Sequence, residues 1–516
     1  MILGDTSRSA SADAGTTLDD ILRLNAARHP DATALIDPPN REAFTDRPPM
    51  RLTYVQADRI VSAIAARLRD IGLSPDSIVA TQFPNTSESI LTLLGIMRAG
   101  MIAAPLPLLW RRTECVAALS RIGTKALITS MRVGDADHAA LAMQVAAEIF
   151  TIRHVGGFGG PLPEGFISFD DLIDEATANT PSPFTPERRD NPALHVAAIT
   201  FDMTSDGIVP VGRSHAELLA GGLSILAESR LAPESHMLSS LPAASFAGIA
   251  LTLAPWLLCA GPLRLHQPFD EATLLAQLQD ARCDAAILPG ALVAQLAEAK
   301  LFAEPHAPKN ILAFWRAPER LTFSASMLSL DSTLIDVPLF GEIGLCALRR
   351  TGSRPANIPV GKIRAPLGAP GAVVVANVAR NAAGTLGFGG PMAPHHVFPH
   401  AGGSFGSYFA AGPDGSLDTG FPCRIDKETG GLVVTGPPAG LFSIGGYRFA
   451  MRDVQSVVSQ ADKEANVAAL PDTFAGHRLA GHSKDRAAVR HTLDAVGLNP
   501  LIVRAFRDRT GTPSAA

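Results

Sequence analysis

Residues 200–215 hold the groups best suited to binding an anion. The segment follows a buried, strand-like run, and Ser214 and Glu217 have the spacing of a capping box that opens a helix. Backbone N–H groups at such a connection, together with the hydroxyls of Thr204 and Ser205, are able to bind a phosphate. The segment therefore predicts recognition of a phosphorylated ligand, with a purely structural turn as the alternative.

The charges in this segment oppose that chemistry. Asp202 and Asp206 lie within it, and Arg213 is its only arginine or lysine. A carboxylate about 5 Å from a phosphate costs roughly 3 kcal/mol at an effective dielectric of 20, unless a metal ion bridges the two. We therefore expect Arg213 to carry the positive charge if a phosphate binds here.

Two other clusters suggest chemistry less strongly. His395, His396 and His400 suggest zinc, but Pro394 and Pro399 prevent the helical spacing that would align them, so we predict a surface loop. Residues 402–406 have the G-x-S-x-G order of a hydrolase nucleophile turn without a strand and helix around it. Residues 155–160 lack the G-x-G-x-x-G order of a dinucleotide site. We interpret these last two segments as glycine-rich loops.

Alternating elements position these residues. Helix-type and strand-type patterns alternate over residues 52–129 and again over 195–299, after a proline-rich interruption at 181–186. This alternation predicts an α/β fold with a parallel sheet covered on both faces. Residues 355–438 change to short β-type runs between Gly and Pro clusters, which predicts a β-rich subdomain, and a short α+β tail follows.

Composition excludes several classes of protein. The 516 residues are 47% hydrophobic and 18% charged, so disorder and a small disulfide scaffold are excluded. The net charge of −5 argues against a nucleic-acid partner. Five scattered cysteines and an N-terminus without a signal-like pattern indicate a reducing cytoplasm. Residues 237–263 carry no charge, but their prolines and serines favour a buried strand and helix over a membrane span.

An ordered series of motifs extends from about residue 16 to residue 506. Its segments are residues 52–54, 83–88, 98–107, 241–242, 248, 269–270, 289, 359–361, 384–391, 418–420, 424, 426 and 445–448. This series resembles the adenylate-forming superfamily, which includes acyl-CoA and aryl-CoA synthetases, peptide-synthetase adenylation domains and luciferases. The resemblance implies a large N-terminal domain of two αβαβα layers plus a β-barrel, and a small α+β C-terminal domain. The expected divisions are a flexible stretch at 1–15, the large domain at 16–436 with its β-rich part at 355–436, and a shortened C-terminal domain at 437–516.

The same resemblance implies a set of site residues. The residues expected to bind the nucleotide are Thr204, Ser205, Gly207, Gly212, Phe340, Gly341, Asp418, Thr419 and Arg424. The residues expected to act in catalysis are Arg213 and Glu342, and Glu342 is also the expected Mg²⁺ ligand. The residues expected to face the acceptor are Gly445, Gly446 and Arg448. Four contacts of the family are altered. The phosphate-loop lysine is replaced by Val209 or Val211, the metal-binding Glu by Gly344, and the ribose-binding Asp by Phe421, while no Gly-Lys follows Lys484.

The implied function is a ligase that activates a carboxylic acid with ATP and Mg²⁺ and transfers it to CoA or to a carrier-protein thiol. Its implied partners are a small carboxylic acid or acyl thioester and an acyl carrier protein. The altered contacts leave two alternatives open: a catalytically impaired relative that binds an acyl or aryl ligand or a partner protein, and an acyltransferase that accepts a ready-made adenylate or thioester. The sequence does not distinguish a fatty from an aromatic acid.

Overall fold

A computed structural model describes residues 15–178, 184, 190–280, 283–302, 307–321, 332–352, 354–366, 371–397, 412 and 415–507. The described helices are α1 (Leu18–Arg28), α2 (Arg41–Thr45), α3 (Tyr54–Asp70), α4 (Ser87–Arg98), α5 (Arg112–Leu119), α6 (His138–Glu148), α7 (Asp170–Ala178), α8 (His215–Ser229), α9 (Phe246–Gly248), α10 (Ala254–Cys259), α11 (Glu271–Asp280), α12 (Gly290–Glu298), α13 (Met451–Ala461), α14 (Arg486–Val496) and α15 (Pro500–Val503).

The described strands are β1 (Thr33–Ile36), β2 (Arg51–Thr53), β3 (Ile78–Gln82), β4 (Ile102–Pro105), β5 (Ala126–Ser130), β6 (Arg132–Val133), β7 (Ala136–Asp137), β8 (His154–Phe158), β9 (Phe166–Ser168), β10 (Val196–Thr204), β11 (Gly207–Ser214), β12 (Met237–Ser239), β13 (Leu263–Leu265), β14 (Ala285–Pro289), β15 (Asn310–Trp315), β16 (Thr333–Phe340), β17 (Gly344–Leu345), β18 (Leu348–Arg349), β19 (Gly361–Ala365), β20 (Val373–Arg380), β21 (Thr385–Gly389), β22 (His396–Val397), β23 (Leu417–Ile425), β24 (Leu432–Val434), β25 (Leu441–Ile444), β26 (Tyr447–Ala450), β27 (Asn466–Asp472) and β28 (Gly476–His482).

Two large sheets form the centre of the molecule. One has the strand order β22-β11-β10-β4-β3-β5-β8-β9, and the other has the order β17-β16-β15-β14-β12-β13-β1-β2, with β18 also paired to β16. Most of their strands run parallel, and β3 and β5 are buried along their whole length. Strands buried on both faces are typical of sheets covered by helices on both sides.

Helices between the sheets join them into one core. Helix α3 places apolar residues at helical spacing, and its buried face packs against α1, α4 and α7. Helix α8 packs against α10 and against the π-helical turn Ile249–Leu253 that precedes α10. The uncharged segment 237–263 is therefore a buried strand followed by buried helices, as predicted. No helix among the described residues is both long and apolar enough to cross a membrane.

Two smaller sheets complete the fold. An antiparallel sheet in the order β19-β20-β21-β23-β24 lies where the resemblance implies a β-barrel. The C-terminal unit, residues 441–506, contains the sheet β26-β25-β28-β27 and has its own apolar core, which includes Val458, Leu493 and Phe506. The expected boundary after residue 436 lies between β24 and β25. The predicted α/β fold class is confirmed.

Candidate active site

The predicted phosphate loop is a tight β-hairpin. Strands β10 and β11 pair antiparallel with Thr204 opposite Gly207, so only Ser205 and Asp206 form the turn. The Thr204 hydroxyl accepts from the Asp206 N–H (3.0 Å) and donates to the Gly207 carbonyl (3.1 Å). The expectation of a strand followed by a loop is wrong here, because the residues after Gly207, which include the β-branched Ile208, Val209 and Val211, pair as a second strand.

This hairpin changes the setting of the predicted nucleotide-binding residues. Gly212 lies within β11, opposite Ile199 on one side and His396 on the other. Val209 and Val211, at the two registers that the resemblance gives for the lysine, are buried. The Thr204 hydroxyl is engaged inside its own turn, so phosphate binding by this segment stays a prediction.

Asp202, two residues before the end of β10, connects two other parts of the site. Its side chain is only 5% exposed. Its Oδ2 accepts from the Glu342 N–H (2.8 Å), and its Oδ1 accepts from Arg448 Nη1 (3.0 Å). The carboxylate that the sequence analysis treated as a repulsive charge is thus a docking point for an N–H and a guanidinium.

The turn after β16 is shaped around Asp202. Phe340 ends the strand, and Gly341 has a φ of +61°, which favours glycine. A Cβ added at Gly341 would overlap the Asp202 carboxylate. This position therefore requires glycine both for its backbone conformation and for the close approach of Asp202.

Glu342 is buried next to this contact. Its carboxylate accepts from the Phe246 N–H (2.6 Å). Burial raises the pKa of Glu342, and the neighbouring Asp202 raises it further, while the Phe246 N–H and Arg316 lower it. Two carboxylates thus lie close together in a buried place, an arrangement that a cation would stabilise.

Arg213 is fully buried beneath the same turn. Its guanidinium donates to the carbonyls of Met392 (2.6 Å), Ile343 (3.0 Å) and Glu342, and it lies 3.9 Å from the centroid of the Phe246 ring. These contacts fix the backbone that carries Glu342. A direct catalytic role for Arg213 stays a prediction, and the described contacts are those of a positioning residue.

The C-terminal unit reaches this site through a two-residue turn. Ile444 pairs with Tyr447 across Gly445 and Gly446, whose φ values are +54° and +89°. Positive φ at both positions is the geometry of a type I′ hairpin turn, which explains the Gly-Gly pair. Arg448 follows the turn, pairs with Asp202, and places its guanidinium 5.0 Å from the centroid of the Phe421 ring.

The sequence analysis missed Arg316, which directly follows β15. Its Nη2 donates to Ser245 Oγ (3.1 Å), its charge lowers the pKa of Glu342, and its side chain packs against Gly446. A signal was present, since ligands of parallel sheets bind at the carboxyl ends of the strands and β15 ends at Trp315. Arg316 and Arg448 thus bring two positive charges to the two carboxylates.

The side chains predicted to bind a ribose mostly form hydrogen bonds within their own sheet. Asp418 accepts from the Thr385 hydroxyl (2.7 Å) and the Gly420 N–H (2.8 Å), and the buried Thr419 hydroxyl donates to the Leu386 carbonyl (2.7 Å). Arg424 lies at the exposed end of β23, 3.5 Å from Asp426. Nucleotide binding by Asp418, Thr419 and Arg424 stays a prediction.

An aromatic cluster fills the space beside these residues. The rings of Phe388 and Phe421 lie 5.9 and 5.8 Å from that of Phe340, and all three side chains are buried. A Cβ at Gly344 would overlap the Phe388 ring. The glycine at the place of the family's metal-binding Glu and the bulky Phe388 are therefore mutually adapted.

A second contact joins the C-terminal unit to the large sheets. The Thr113 N–H donates to the Gly497 carbonyl (3.0 Å), and its hydroxyl donates to the Val496 carbonyl (3.1 Å). The Asn499 N–H donates to the buried Glu114 carboxylate (2.9 Å). The end of α14 is thus held against the start of α5, where its free carbonyls find donors.

The remaining predicted groups have other partners or lie outside the described residues. His395 Nδ1 lies 2.8 Å from Glu217 Oε1, and the predicted Ser214–Glu217 capping box is confirmed. The His396 side chain, His400 and the glycine-rich stretch 402–406 lie outside the described residues. Across the described part of the chain, no group of three or more His, Cys, Asp or Glu side chains is placed to hold a metal ion.

Sequence comparison matches one end of the chain to a known family. Residues 22–205, which end in the turn of the β10–β11 hairpin, match the family described as AMP-binding enzyme. The salicyl-AMP ligase / salicyl-S-ArCP synthetase of Mycobacterium tuberculosis is 30% identical over 191 residues, 36% of this chain and 32% of that protein. The oxalate–CoA ligase of Arabidopsis thaliana is 32% identical over 144 residues, 27% of each chain. The aligned part thus spans about a third or less of these relatives.

Structural comparison extends over nearly the whole chain. The amide bond synthetase McbA of Marinactinospora thermotolerans has a TM-score of 0.68 at 16% identity and covers 94% of each chain. The apo structure of MbtA from Mycobacterium smegmatis has a TM-score of 0.63 at 22% identity and covers 93% of this chain and 88% of that one. At these identities the likeness is one of fold.

Proposed function

We propose that this chain is an adenylate-forming ligase that activates a carboxylic acid with ATP and transfers the acyl group to a thiol, a proposal supported by the match of residues 22–205 to the AMP-binding enzyme family. One observation carries the proposal. Four segments distant in sequence, namely β10, the Gly341–Glu342 turn, the Phe421 strand and the Arg448 turn, meet at a single place. Their meeting brings charged groups together where the C-terminal unit contacts the large sheets, as expected for a site of acyl transfer.

The protein's own side chains divide into two roles. Arg316 and Arg448 supply positive charge for the phosphates or the acid's carboxylate. Both guanidinium groups lie where the C-terminal unit contacts the large sheets. Arg213 holds the backbone of Glu342 and so positions its carboxylate. Asp202 and Glu342 balance the two arginines, so these four side chains provide no net positive charge for a triphosphate.

Because these four side chains carry no net charge, a metal ion is needed to neutralise the phosphates. Carboxylate oxygens are the ligands that Mg²⁺ prefers, and Glu342 is a buried carboxylate destabilised by a neighbouring one, so the donor chemistry fits the ion. Glu342 is the residue that would hold Mg²⁺, which when bound neutralises phosphate charge. The chain's residues then need only orient the acid and exclude water.

The acid and acceptor are proposed as classes. The named relatives act on salicylate and oxalate, so the assay needs both an aromatic and a small aliphatic acid. CoA and a carrier-protein thiol are the acceptors to compare, because the relatives' names include a CoA ligase and a carrier-protein synthetase.

Carboxylate-dependent ATP–pyrophosphate exchange tests this proposal. We expect the full chain with Mg²⁺ to exchange pyrophosphate above a no-acid control for at least one member of a pool that contains salicylate, oxalate and fatty acids. Glu342→Gln should lower the rate at least 100-fold, as removal of a group that stabilises developing charge does. Glu298→Gln, which removes an exposed carboxylate at the end of α12, should not change it. No exchange by folded protein, with an ordinary ligase active in parallel, would reject the ligase and leave the binding-protein and acyltransferase alternatives.

A further inference from the structure

The donors around Asp202 form an anion-binding pair. The Glu342 N–H follows a residue with positive φ, and it points at the same carboxylate as the Arg448 guanidinium. A backbone N–H in such a turn together with an arginine is a common arrangement for binding phosphate and carboxylate groups. In this chain the bound anion is a side chain of the protein itself.

The fit around this side chain is close. The Asp202 and Arg448 side chains are 5% and 11% exposed. No Cβ fits at Gly341, because the carboxylate occupies that space. The Asp202 carboxylate is therefore buried between the Glu342 N–H and Arg448 and is not a surface charge beside them.

The contact also joins the two parts of the molecule. Arg448 and Arg452 belong to the C-terminal unit, and Arg452 Nη2 donates to the Ser205 carbonyl at the tip of the same hairpin (2.6 Å). The hairpin, the Gly341–Glu342 turn and the C-terminal unit are thus held together at Asp202 and Ser205.

We infer that Asp202 is an internal substitute for a ligand phosphate: it holds the Arg448 turn closed over the site until a phosphate-bearing ligand takes its place on the Glu342 N–H and Arg448. The choice of a nucleotide phosphate as the displacing anion rests on the proposed function, whereas the docking by Asp202 does not. The inference predicts that the native carboxylate weakens phosphate binding and strengthens the contact between the two parts.

Paired variants of the full chain separate these effects. Asp202→Asn keeps the size of the side chain but removes its charge, and Asp206→Asn removes the same charge from the exposed turn four residues further along the chain. Titration calorimetry with AMP and with inorganic pyrophosphate gives the affinities. Hydrogen exchange of residues 445–448 without ligand reports the docking of the turn.

The inference predicts that Asp202→Asn binds pyrophosphate or AMP about 10-fold or more tightly than the native chain, because a neutral amide neither repels phosphate nor competes well for its donors. It also predicts faster exchange at residues 445–448 in Asp202→Asn than in Asp206→Asn. Equal affinity and equal exchange in the two variants would overturn it.

Arg448→Ala keeps the test decisive if Asp202→Asn does not fold. This variant should lose the docking without gaining affinity, because it removes one of the two anion donors. A gain in pyrophosphate affinity in Arg448→Ala would contradict the inference. If native protein shows no ATP–pyrophosphate exchange but Asp202→Asn gains affinity and loses docking, the ligase proposal fails while this inference stands. If native protein does show ATP–pyrophosphate exchange, and Asp202→Asn and Asp206→Asn have the same phosphate affinity and the same hydrogen exchange, only this inference fails.

Discussion

Replacing Gly341 by alanine should destabilise the protein strongly, because two costs coincide at this residue. The left-handed backbone costs a non-glycine residue about 1–2 kcal/mol. The new Cβ overlaps the Asp202 carboxylate, which must move and give up the Glu342 N–H and Arg448. Breaking a buried ion pair of this kind costs about 3 kcal/mol. The expected loss of unfolding free energy is therefore about 4–5 kcal/mol.

A matched control separates the two costs. Gly207 has a φ of +91° and no atom within 4 Å of a Cβ built on it, so Gly207→Ala should cost only the backbone strain of about 1–2 kcal/mol. In an Asp202→Ala background Gly341→Ala should cost a similar 1–2 kcal/mol, because the contact it breaks is already gone. The two substitutions should therefore be coupled by about 3 kcal/mol.

Urea unfolding followed by tryptophan fluorescence measures these differences. All three tryptophans, Trp110, Trp256 and Trp315, precede residue 441, so the signal reports on the part of the chain that contains Gly341. Shifts of the transition midpoint at unchanged slope give the differences in stability. The reasoning is refuted if Gly341→Ala costs no more than Gly207→Ala, or if its cost is the same with and without Asp202.

Three further predictions concern other contacts. Burial and the nearby Arg111 together lower the pKa of His138 to about 4, so the unfolded chain binds the proton more readily than the folded chain does. Up to about 3 kcal/mol of stability should therefore be lost as pH falls from about 6.5 to about 4. Urea midpoints across this range should depend less on pH in His138→Gln. Gly344→Glu, which restores the acidic residue of the family, should lower Tm because its Cβ overlaps the Phe388 ring, and an unchanged Tm would contradict the described packing. Glu114→Ala should weaken the docking of α14 by about 1.5–3 kcal/mol through loss of a charge-assisted hydrogen bond, seen as faster hydrogen exchange over residues 497–503; unchanged exchange would show that the contact contributes little.

Local patterns predicted much of the fold. The alternation of helix-type and strand-type patterns predicted over residues 52–129 includes β3 and α4, because burial on both faces and helical spacing are encoded in neighbouring residues. The Ser214–Glu217 capping box is predictable for the same reason, since both partners lie within one turn of helix. The order of the family's motifs along the chain then indicated two large sheets and a smaller β-rich part.

Long-range pairing explains what the sequence did not predict. Asp202 and Arg448 are 246 residues apart, so no local pattern indicates that the carboxylate binds this arginine. The hairpin replaced the expected loop because β11 finds partners on both sides, β10 and β22. Arg213 was predicted as the cation for a bound phosphate, and its three carbonyl partners could not be predicted because they come from segments that only the folded chain brings together.

Direct detection of an acyl-adenylate tests the central claim most directly. The 516-residue chain is mixed with an equimolar amount of ATP, with Mg²⁺ and with each carboxylic acid in turn, and the mixture is quenched with acid and analysed by mass spectrometry. The proposed ligase predicts an acyl-AMP product that requires both the acid and Mg²⁺ and is lost in Glu342→Gln. Absence of acyl-AMP with every acid, from protein that is folded and at an enzyme concentration equal to that of ATP, would contradict it.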